Sequence, residues 1–378
     1  MEQPLIPNAR LSPSEEGIRR RFPLFVKIFY AVFGLSLLLY AGFLRSEAFA
    51  DFFNRHISSV VRAILAYLTG WLPFSFAEYL LLLLPVILFV LARYGIRYYV
   101  DSWHNVLIYC ASVVSVAAII FSVFILGFAP AYRGRTLDEK LAIERRDVSA
   151  EELYETALIL SEAVGRESEA IRYSSATKFS VMPYNYKEMN DRLIEAYDTV
   201  CNEYDFVQRL DSRLKPVMLS KPMSYTHITG VYSFFTGEAN INVNFPDYTI
   251  PYTAAHELSH QRGIAREDEA NFMAFLVCVA SEDAYIRYSG YLNLYEYVAS
   301  ALYSASPDLY WQAQGTLPRS VRVEQAAYSA FFEEYRDSTV SEVSETVNNT
   351  FLTLHGTEGT KSYGMVVDLA VAYYRSEP

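Results

Sequence analysis

The sequence predicts an α+β fold in which three N-terminal transmembrane helices precede a mostly helical domain with a small β-sheet. Apolar residues concentrate before residue 130, where charged residues are sparse. Beyond that point they recur at helical spacing, which is typical of amphipathic helices that pack on a core. Residues 239–244 alternate between apolar and polar side chains instead, as a β-strand does.

Three apolar runs predict the membrane helices, over residues 22–44, 74–92 and 106–128. At about 1.5 Å per residue, each can cross a hydrocarbon layer of about 30 Å. The third run has no charged residue, whereas a helix on a soluble core keeps a polar face. The first is too long for a secretory signal, and no small-residue cleavage site follows it. The sequence therefore predicts a lipid bilayer as a partner.

Basic residues beside the runs predict the orientation. The set with more Lys and Arg would face the cytoplasm, and it consists of Arg10, Arg19, Arg20, Arg21, Lys27, Arg93 and Arg97. The opposing set is smaller, with Arg45, Arg55, Arg62, Arg133 and Arg135. We therefore expect a multi-pass protein of a cell membrane with a cytoplasmic N-terminus and the C-terminal domain outside.

This reasoning divides the chain into a cytoplasmic tail (1–21), a membrane domain (22–130) and an extracytoplasmic domain (131–378). Within the last domain, the pattern predicts a polar linker over 132–147 and a helix that starts at a capping box, Ser149 to Glu152. The other predicted elements are a helix over 187–210, strands over 231–235 and 239–244, helices over 249–261 and 266–281, and four or so helices over 283–375. The second strand is expected to be a half-exposed edge. The net charge of −11 argues against a nucleic-acid partner.

The motif His256-Glu257-Leu258-Ser259-His260 is the strongest functional signal. Residues four apart lie on one face of a helix, so the two imidazoles can bind one Zn²⁺ ion. Glu257 follows the first ligand directly and can accept a proton from a zinc-activated water. If no metal binds, the two histidines pack in the core and Glu257 forms a surface ion pair.

Together with the residues that follow, this motif resembles the gluzincin group of zincin metallopeptidases. That group places a Glu on a following helix, often as ExxAD or ExxAN. Here the segment Glu267-Asp268-Glu269-Ala270-Asn271 matches. The resemblance implies Glu267 as third ligand and Asn271 as a residue that supports a ligating His through a hydrogen bond. Glu269 is the alternative ligand. The wider layout, three spans followed by GEANIN and HELSHQ, resembles an uncharacterised bacterial membrane-protein family.

These patterns predict a membrane-anchored zinc metallopeptidase that acts on a peptide or protein substrate, with Glu257 as general base. His227 is a candidate stabiliser of the transition state, because it lies just upstream of the predicted edge strand. An intramembrane protease is disfavoured, because Arg266 to Glu269 are all charged. The other hypothesis is a non-catalytic sensor or assembly protein of the cell envelope that the metal stabilises. The sequence does not determine the oligomeric state.

Overall fold

The structure is a computed structural model that describes residues 20–355, 357 and 365–376. Within that part the chain is mostly helical with one three-stranded sheet, so the predicted α+β class is confirmed. All but the last two residues of the predicted tail, 1–21, lie outside the described residues.

The helices are α1 (Leu24–Phe43), α2 (Glu47–Phe53), α3 (Ser59–Gly70), α4 (Phe76–Tyr99), α5 (Trp103–Gly127), α6 (Leu137–Leu141), α7 (Ala150–Ser168), α8 (Tyr186–Glu203), α9 (Ser220–Ser224), α10 (Ile250–Gln261), α11 (Glu267–Val279), α12 (Ala284–Ala305), α13 (Pro307–Thr316), α14 (Arg319–Phe332), α15 (Thr339–Leu354) and α16 (Val366–Ser376). The strands are β1 (Leu214–Pro216), β2 (Gly230–Ser233) and β3 (Glu238–Ile241).

Helices α1, α4 and α5 are long and apolar enough to cross a membrane. The three predicted spans are thus present as helices, and the protein is membrane-associated. Helix α4 is longer than predicted and ends at Tyr99, so Arg93 and Arg97 lie on its last two turns and not in a loop.

The contacts divide the described chain into two compact units. One comprises residues 20–37 and 80–122, and the other comprises residues 38–79, 123–355, 357 and 365–376. In the first unit, Ser36 Oγ on α1 donates to Ser122 Oγ on α5 over 3.1 Å. The predicted boundary at residue 130 therefore differs from the observed division, because the segment between the first two spans folds with the C-terminal domain.

Hydrogen bonds of the second unit explain this division. Asn54 Nδ2, in a π-helical turn between α2 and α3, donates to the carbonyl of Gly263 over 3.0 Å. The Thr69 hydroxyl on α3 donates to the Thr236 carbonyl over 3.2 Å. At the start of α4, two backbone N–H groups donate to the Glu238 carboxylate over 2.9 and 2.8 Å. The sequence analysis missed these pairings because the partners are far apart in the chain.

The segment over residues 132–147 is not the polar linker that the sequence analysis predicts. It contains α6, whose Leu137 side chain is fully buried. The Leu137 N–H donates to Glu269 Oε1 on α11 over 3.0 Å. The predicted capping box between Ser149 and Glu152 is confirmed at the start of α7. The helix predicted over 187–210 ends earlier, at Glu203.

The sheet has the order β1-β3-β2, so β3 is its central strand. Strand β1 pairs with β3 in parallel, and β2 pairs with it antiparallel. All four residues of β3 are buried, and the prediction of a half-exposed edge over 239–244 is therefore wrong. The missed strand β1 covers the side of β3 that was expected to be free, and β2 is the edge strand next to α10.

Candidate metal centre

Helix α10 carries the HExxH motif through the core. All of its residues are buried, and Pro251 occupies the first turn, where its missing N–H removes no helical hydrogen bond. The Tyr197 hydroxyl on α8 donates to the Ala255 carbonyl over 2.6 Å and lies 2.8 Å from Ser259 Oγ. The helix is thus fixed against α8 on the side away from its histidines.

Gly263 reverses the chain between α10 and α11. Its φ of +90° lies in the left-handed region that favours glycine. A Cβ at this position would come within 2.4 Å of Arg62 Nη2. The turn brings the first residue of α11, Glu267, beside the histidines of α10, as the sequence analysis expected.

The side chains of His256, His260 and Glu267 converge on one point. Each contributes one potential ligand atom, and the three atoms lie within 4.8 Å of one another. Glu267 Oε2 is 3.2 Å from His256 Nε2 and 3.4 Å from His260 Nε2. All three residues are buried.

These three residues fit a divalent cation. Two imidazoles and one carboxylate are a ligand set found in catalytic zinc sites, where a fourth position stays open. Glu267 Oε2 is buried and makes no hydrogen bond of acceptable geometry to any described residue. A buried carboxylate oxygen without such a bond is costly unless a charge compensates it, and a cation between the three atoms provides that charge.

The same geometry shifts the pKa values of His260 and Glu267. Burial lowers the pKa of His260, but the facing Glu267 carboxylate outweighs this effect and raises it to about 9. Burial raises the pKa of Glu267, whereas the two histidines lower it and leave it well below its ordinary value. Since a ligating imidazole must be neutral, a metal ion has to displace a proton from this pair.

Glu257 lies on the other side of the histidines, against the edge strand. A Cβ on Gly230 of β2 would come within 2.6 Å of Glu257 Oε1, so the carboxylate fits only against a glycine. Its other oxygen, Oε2, is buried and has no hydrogen-bond partner among the residues described. Burial raises the pKa of Glu257 to about 7. A carboxylate in this state can both accept and return a proton near neutral pH.

The Nδ1 atoms of the two histidines differ in their hydrogen bonding. His260 Nδ1 lies 2.8 Å from the Ile264 carbonyl, which directs Nε2 towards Glu267. His256 Nδ1 and Asn271 Nδ2 are both buried without a partner in the described part of the chain. The structure thus places Asn271 in the cleft but does not form the hydrogen bond to a ligand that the sequence resemblance implies. Instead, the Asn271 carbonyl accepts a hydrogen bond from the Tyr252 hydroxyl over 2.9 Å.

Glu269, the alternative third ligand, points away from the histidines. Its Oε1 pairs with Arg266 over 2.9 Å and accepts the N–H of Leu137 over 3.0 Å. Its neighbour Asp268 pairs with Arg145 over 2.8 Å. These two acidic residues therefore attach α11 to the chain around α6, and Glu267 is the carboxylate that the structure brings to the histidines.

His227 lies in the wall of the same cleft. Its φ is +60°, an unusual value for a non-glycine residue. Its Nε2 lies 2.7 Å from the carbonyl of Tyr335, which leaves only Nδ1 for a substrate. The role of His227 as a transition-state stabiliser stays a prediction.

The site opens into a cleft of about 630 Å³. Helix α10 forms one wall with His256 and Glu257, and the segment 226–230 leads into β2 at the rim. Glu296 on α12 also lines the cleft. The other wall is formed by α15, through Ser341, Ser344, Glu345 and Asn348. His256 and the Glu257 carboxylate are thus within reach of a molecule in the cleft.

A family model described as "Protein of unknown function (DUF3810)" matches residues 53–371, most of the chain. The chain belongs to the DUF3810 family. No match was found among curated proteins or among solved structures. The match to DUF3810 includes all residues of the candidate metal centre, from Asn54 to Asn271, but the description assigns them no role.

Several site residues of this DUF3810 protein were missed by sequence reasoning. Gly230 carries no motif, and its importance follows only from its contact with Glu257. The contributions of Arg62 and Asn54 depend on contacts with a turn more than 200 residues away, since 209 residues separate Asn54 from Gly263. Helix α15 was predicted only as one of several C-terminal helices. The sole available signal was the excess of Ser, Glu and Asn on one of its faces.

Proposed function

We propose that this protein is a membrane-anchored zinc-dependent metallopeptidase that hydrolyses peptide bonds, with Glu257 as general base. The observation that carries the proposal is the convergence of His256, His260 and Glu267 on one point. Beside it lies the buried carboxylate of Glu257, which is on α10 together with the two histidines. A purely structural metal site needs no such carboxylate. The cleft adds support, because His256 and Glu257 both line it and a substrate there can reach both side chains.

The side chains divide the work as follows. Two imidazoles and the Glu267 carboxylate hold the ion, which, when bound, polarises a substrate carbonyl and lowers the pKa of a water molecule. Glu257 Oε2 has no partner among the described residues and takes the proton of the attacking water. The same atom then returns the proton to the nitrogen that leaves.

The edge strand provides the means to align a peptide. Strand β2 pairs on one side with β3 and is one of the two edge strands of the three-stranded sheet that the described residues form. An extended peptide can add to such an edge through main-chain hydrogen bonds. Because Gly230 of this strand contacts Glu257, a peptide added there lies beside the general base.

The same proposal includes the cellular location. Arg20 and Arg21 precede α1, and Arg93 and Arg97 lie at the end of α4. Two crossings bring both groups to one side of the bilayer, and the excess of basic residues favours the cytoplasmic side. The third crossing then places the metal centre outside the cell, at a bacterial cell membrane.

A zinc and activity measurement on the purified full chain in detergent tests the proposal. Glu257→Gln keeps the size of the side chain but removes the base. We expect about one zinc ion per chain in both proteins. Cleavage of a mixed peptide library should fall by about 10²–10⁴-fold in the variant. Glu345→Gln is the matched control, because Glu345 lies in the same cleft on α15 and is given no role in the chemistry.

Two results would contradict the proposal. If the wild-type protein binds zinc but cleaves no peptide in the library, the non-catalytic sensor or assembly role takes its place. If Glu257→Gln and Glu345→Gln cleave as well as the wild-type protein, Glu257 is not the base.

A further inference from the structure

Helix α15 has three different faces. An apolar face, here called the valine stripe, is made of Val340, Val343, Val347 and Leu354, which are 52%, 65%, 64% and 71% exposed. Their spacing of three, four and seven residues keeps them on one side of the helix. A polar face, with Glu342, Thr346 and Asn349, is also exposed. The third face lines the cleft.

The third face of α15, here called the cleft face, lines the same cleft as the candidate metal centre. Ser341, Ser344, Glu345 and Asn348 line the same cleft as His256 and Glu257. The valine stripe cannot face into the cleft, because these four polar residues occupy that side of the helix. An apolar stripe of this length on a helix needs a partner, since contiguous exposed apolar surface usually marks an interaction site.

The C-terminal end of α15 packs against α5. The Phe351 ring packs edge-on against Phe124 with centroids 6.1 Å apart, and the His355 ring lies 4.8 Å from the same ring. Phe124 belongs to the last turn of α5, which is the third helix able to cross a membrane. The C-terminal end of α15 therefore packs on the last turn of a helix that is able to cross a membrane.

We propose that α15 lies in the membrane interface, with its valine stripe in contact with lipid and its cleft face forming one wall of the metal centre. An amphipathic helix of this kind buries its apolar face at the boundary between headgroups and acyl chains. The sequence of α15 contains no Lys or Arg, so anionic lipid is not required and zwitterionic lipid is sufficient. The lipid contact is independent of the proposed peptidase activity, because it involves neither the metal nor Glu257.

The arrangement has a geometric consequence for the cleft. One helix contacts the bilayer and the cleft at the same time, so the cleft opens at the membrane surface. If the peptidase proposal also holds, the substrates are polypeptides that are themselves held at that surface.

Fluorescence quenching in nanodiscs of phosphatidylcholine tests the lipid contact. The full chain is first freed of thiols by Cys110→Ser, Cys201→Ser and Cys278→Ala. Single cysteines are then introduced by Val343→Cys and Val347→Cys, with Thr346→Cys on the polar face of the same helix as matched control. Leu38→Cys on α1, where the native side chain is 73% exposed, serves as the lipid-facing reference. Each cysteine is labelled with a small environment-sensitive fluorophore.

We expect phosphatidylcholine with doxyl groups on its acyl chains to quench labels 343 and 347 several-fold more strongly than label 346, and nearly as strongly as label 38. Circular dichroism and elution volume confirm that each variant is folded, and Val340→Cys replaces any that is not. Equal quenching of labels 343, 347 and 346 would overturn the proposal. So would energy transfer between labels on two copies of the chain without quenching by lipid, because a second copy would then cover the stripe.

Discussion

Helices α10 and α15 line the same cleft, but they are held in very different ways. Every residue of α10 is buried, including both histidines and Glu257. In α15 only Ser341 and Leu352 are buried. Local stability follows the amount of buried apolar contact, so the wall that carries the chemistry is fixed and the wall that faces it is easier to move. A metal centre needs fixed ligands, whereas entry of a substrate needs a wall that can yield.

The fixed wall continues into α11, and its support comes from outside the two helices. Asp268 and Glu269 pair with Arg145 and Arg266, and the turn at Gly263 is held by Asn54. The ligands are therefore positioned by contacts with segments that carry no catalytic residue. Three substitutions test this comparison: one removes a candidate ligand on α11, one changes the glycine of β2 that contacts Glu257, and one changes a buried acid on α12.

The largest effect is expected from Glu267→Ala. It removes one of the three proposed ligands, and we expect the zinc dissociation constant to rise by more than about 100-fold, since loss even of a supporting residue costs about 10–100-fold. Glu269→Gln is the control, because Glu269 lies two residues away but pairs with Arg266. Competition with a chelator of known affinity measures both constants. Wild-type affinity in Glu267→Ala would remove Glu267 from the ligand set.

A smaller effect is expected from Gly230→Ala. The new Cβ would lie 2.6 Å from Glu257 Oε1 and would displace the carboxylate. A misplacement of about 1 Å can cost about 100-fold in rate, so we expect kcat to fall by about that factor while the zinc content stays the same. Gly315→Ala on α13 is the matched control, because a Cβ at that position would have no atom within 4 Å. Loss of zinc from Gly230→Ala, or an unchanged kcat, would contradict this role.

The smallest effect concerns the pH dependence of stability. Burial raises the pKa of Glu296 from about 4.5 to about 7, and the negative charge of the nearby Glu324 also raises it. The Tyr248 hydroxyl lies 3.3 Å from Glu296 Oε1, and Gln325 Nε2 lies 3.5 Å from the same atom. The folded chain therefore keeps a proton that the unfolded chain loses, and the free energy of unfolding falls as the pH rises from about 4.5 to about 7.

We expect this loss to be about 1–2 kcal/mol, because one pKa unit corresponds to about 1.4 kcal/mol and partial exposure screens part of the effect. Glu296→Gln cannot ionise and should remove that loss, so its stability should exceed that of the wild-type protein at pH 8 but not at pH 4. Unfolding in detergent at both pH values measures the difference. A wild-type protein that loses as little stability as Glu296→Gln would show that Glu296 titrates normally.

Local signals made much of the fold predictable. The three apolar runs, the capping box at Ser149 and the helix with His256 and His260 each depend on residues that are close in the chain, and each is present. The turn at Gly263 brings Glu267 to the histidines. The convergence of these ligands was thus predictable from spacing and from the resemblance to gluzincins, although metal binding itself stays a prediction.

The predictions that failed concern segments whose packing partners are far away in the chain. Residues 132–147 are polar enough to be read as a linker, but Leu137 is buried against α11. The burial of β3 required β1, a strand of three residues with no pattern of its own. The sequence also did not predict that α15 packs against Phe124, because no local pattern shows which surface a helix packs on.

The contact between Asn54 and Gly263 sets an order of events during synthesis. These residues are 209 positions apart, and at about 5–20 residues per second the ribosome needs about 10–40 s to reach the second after the first. Until then Arg62, which is almost completely buried in the finished protein, has no turn at Gly263 to pack against. The segment between the first two spans therefore cannot complete its packing until the ribosome has made the turn at Gly263.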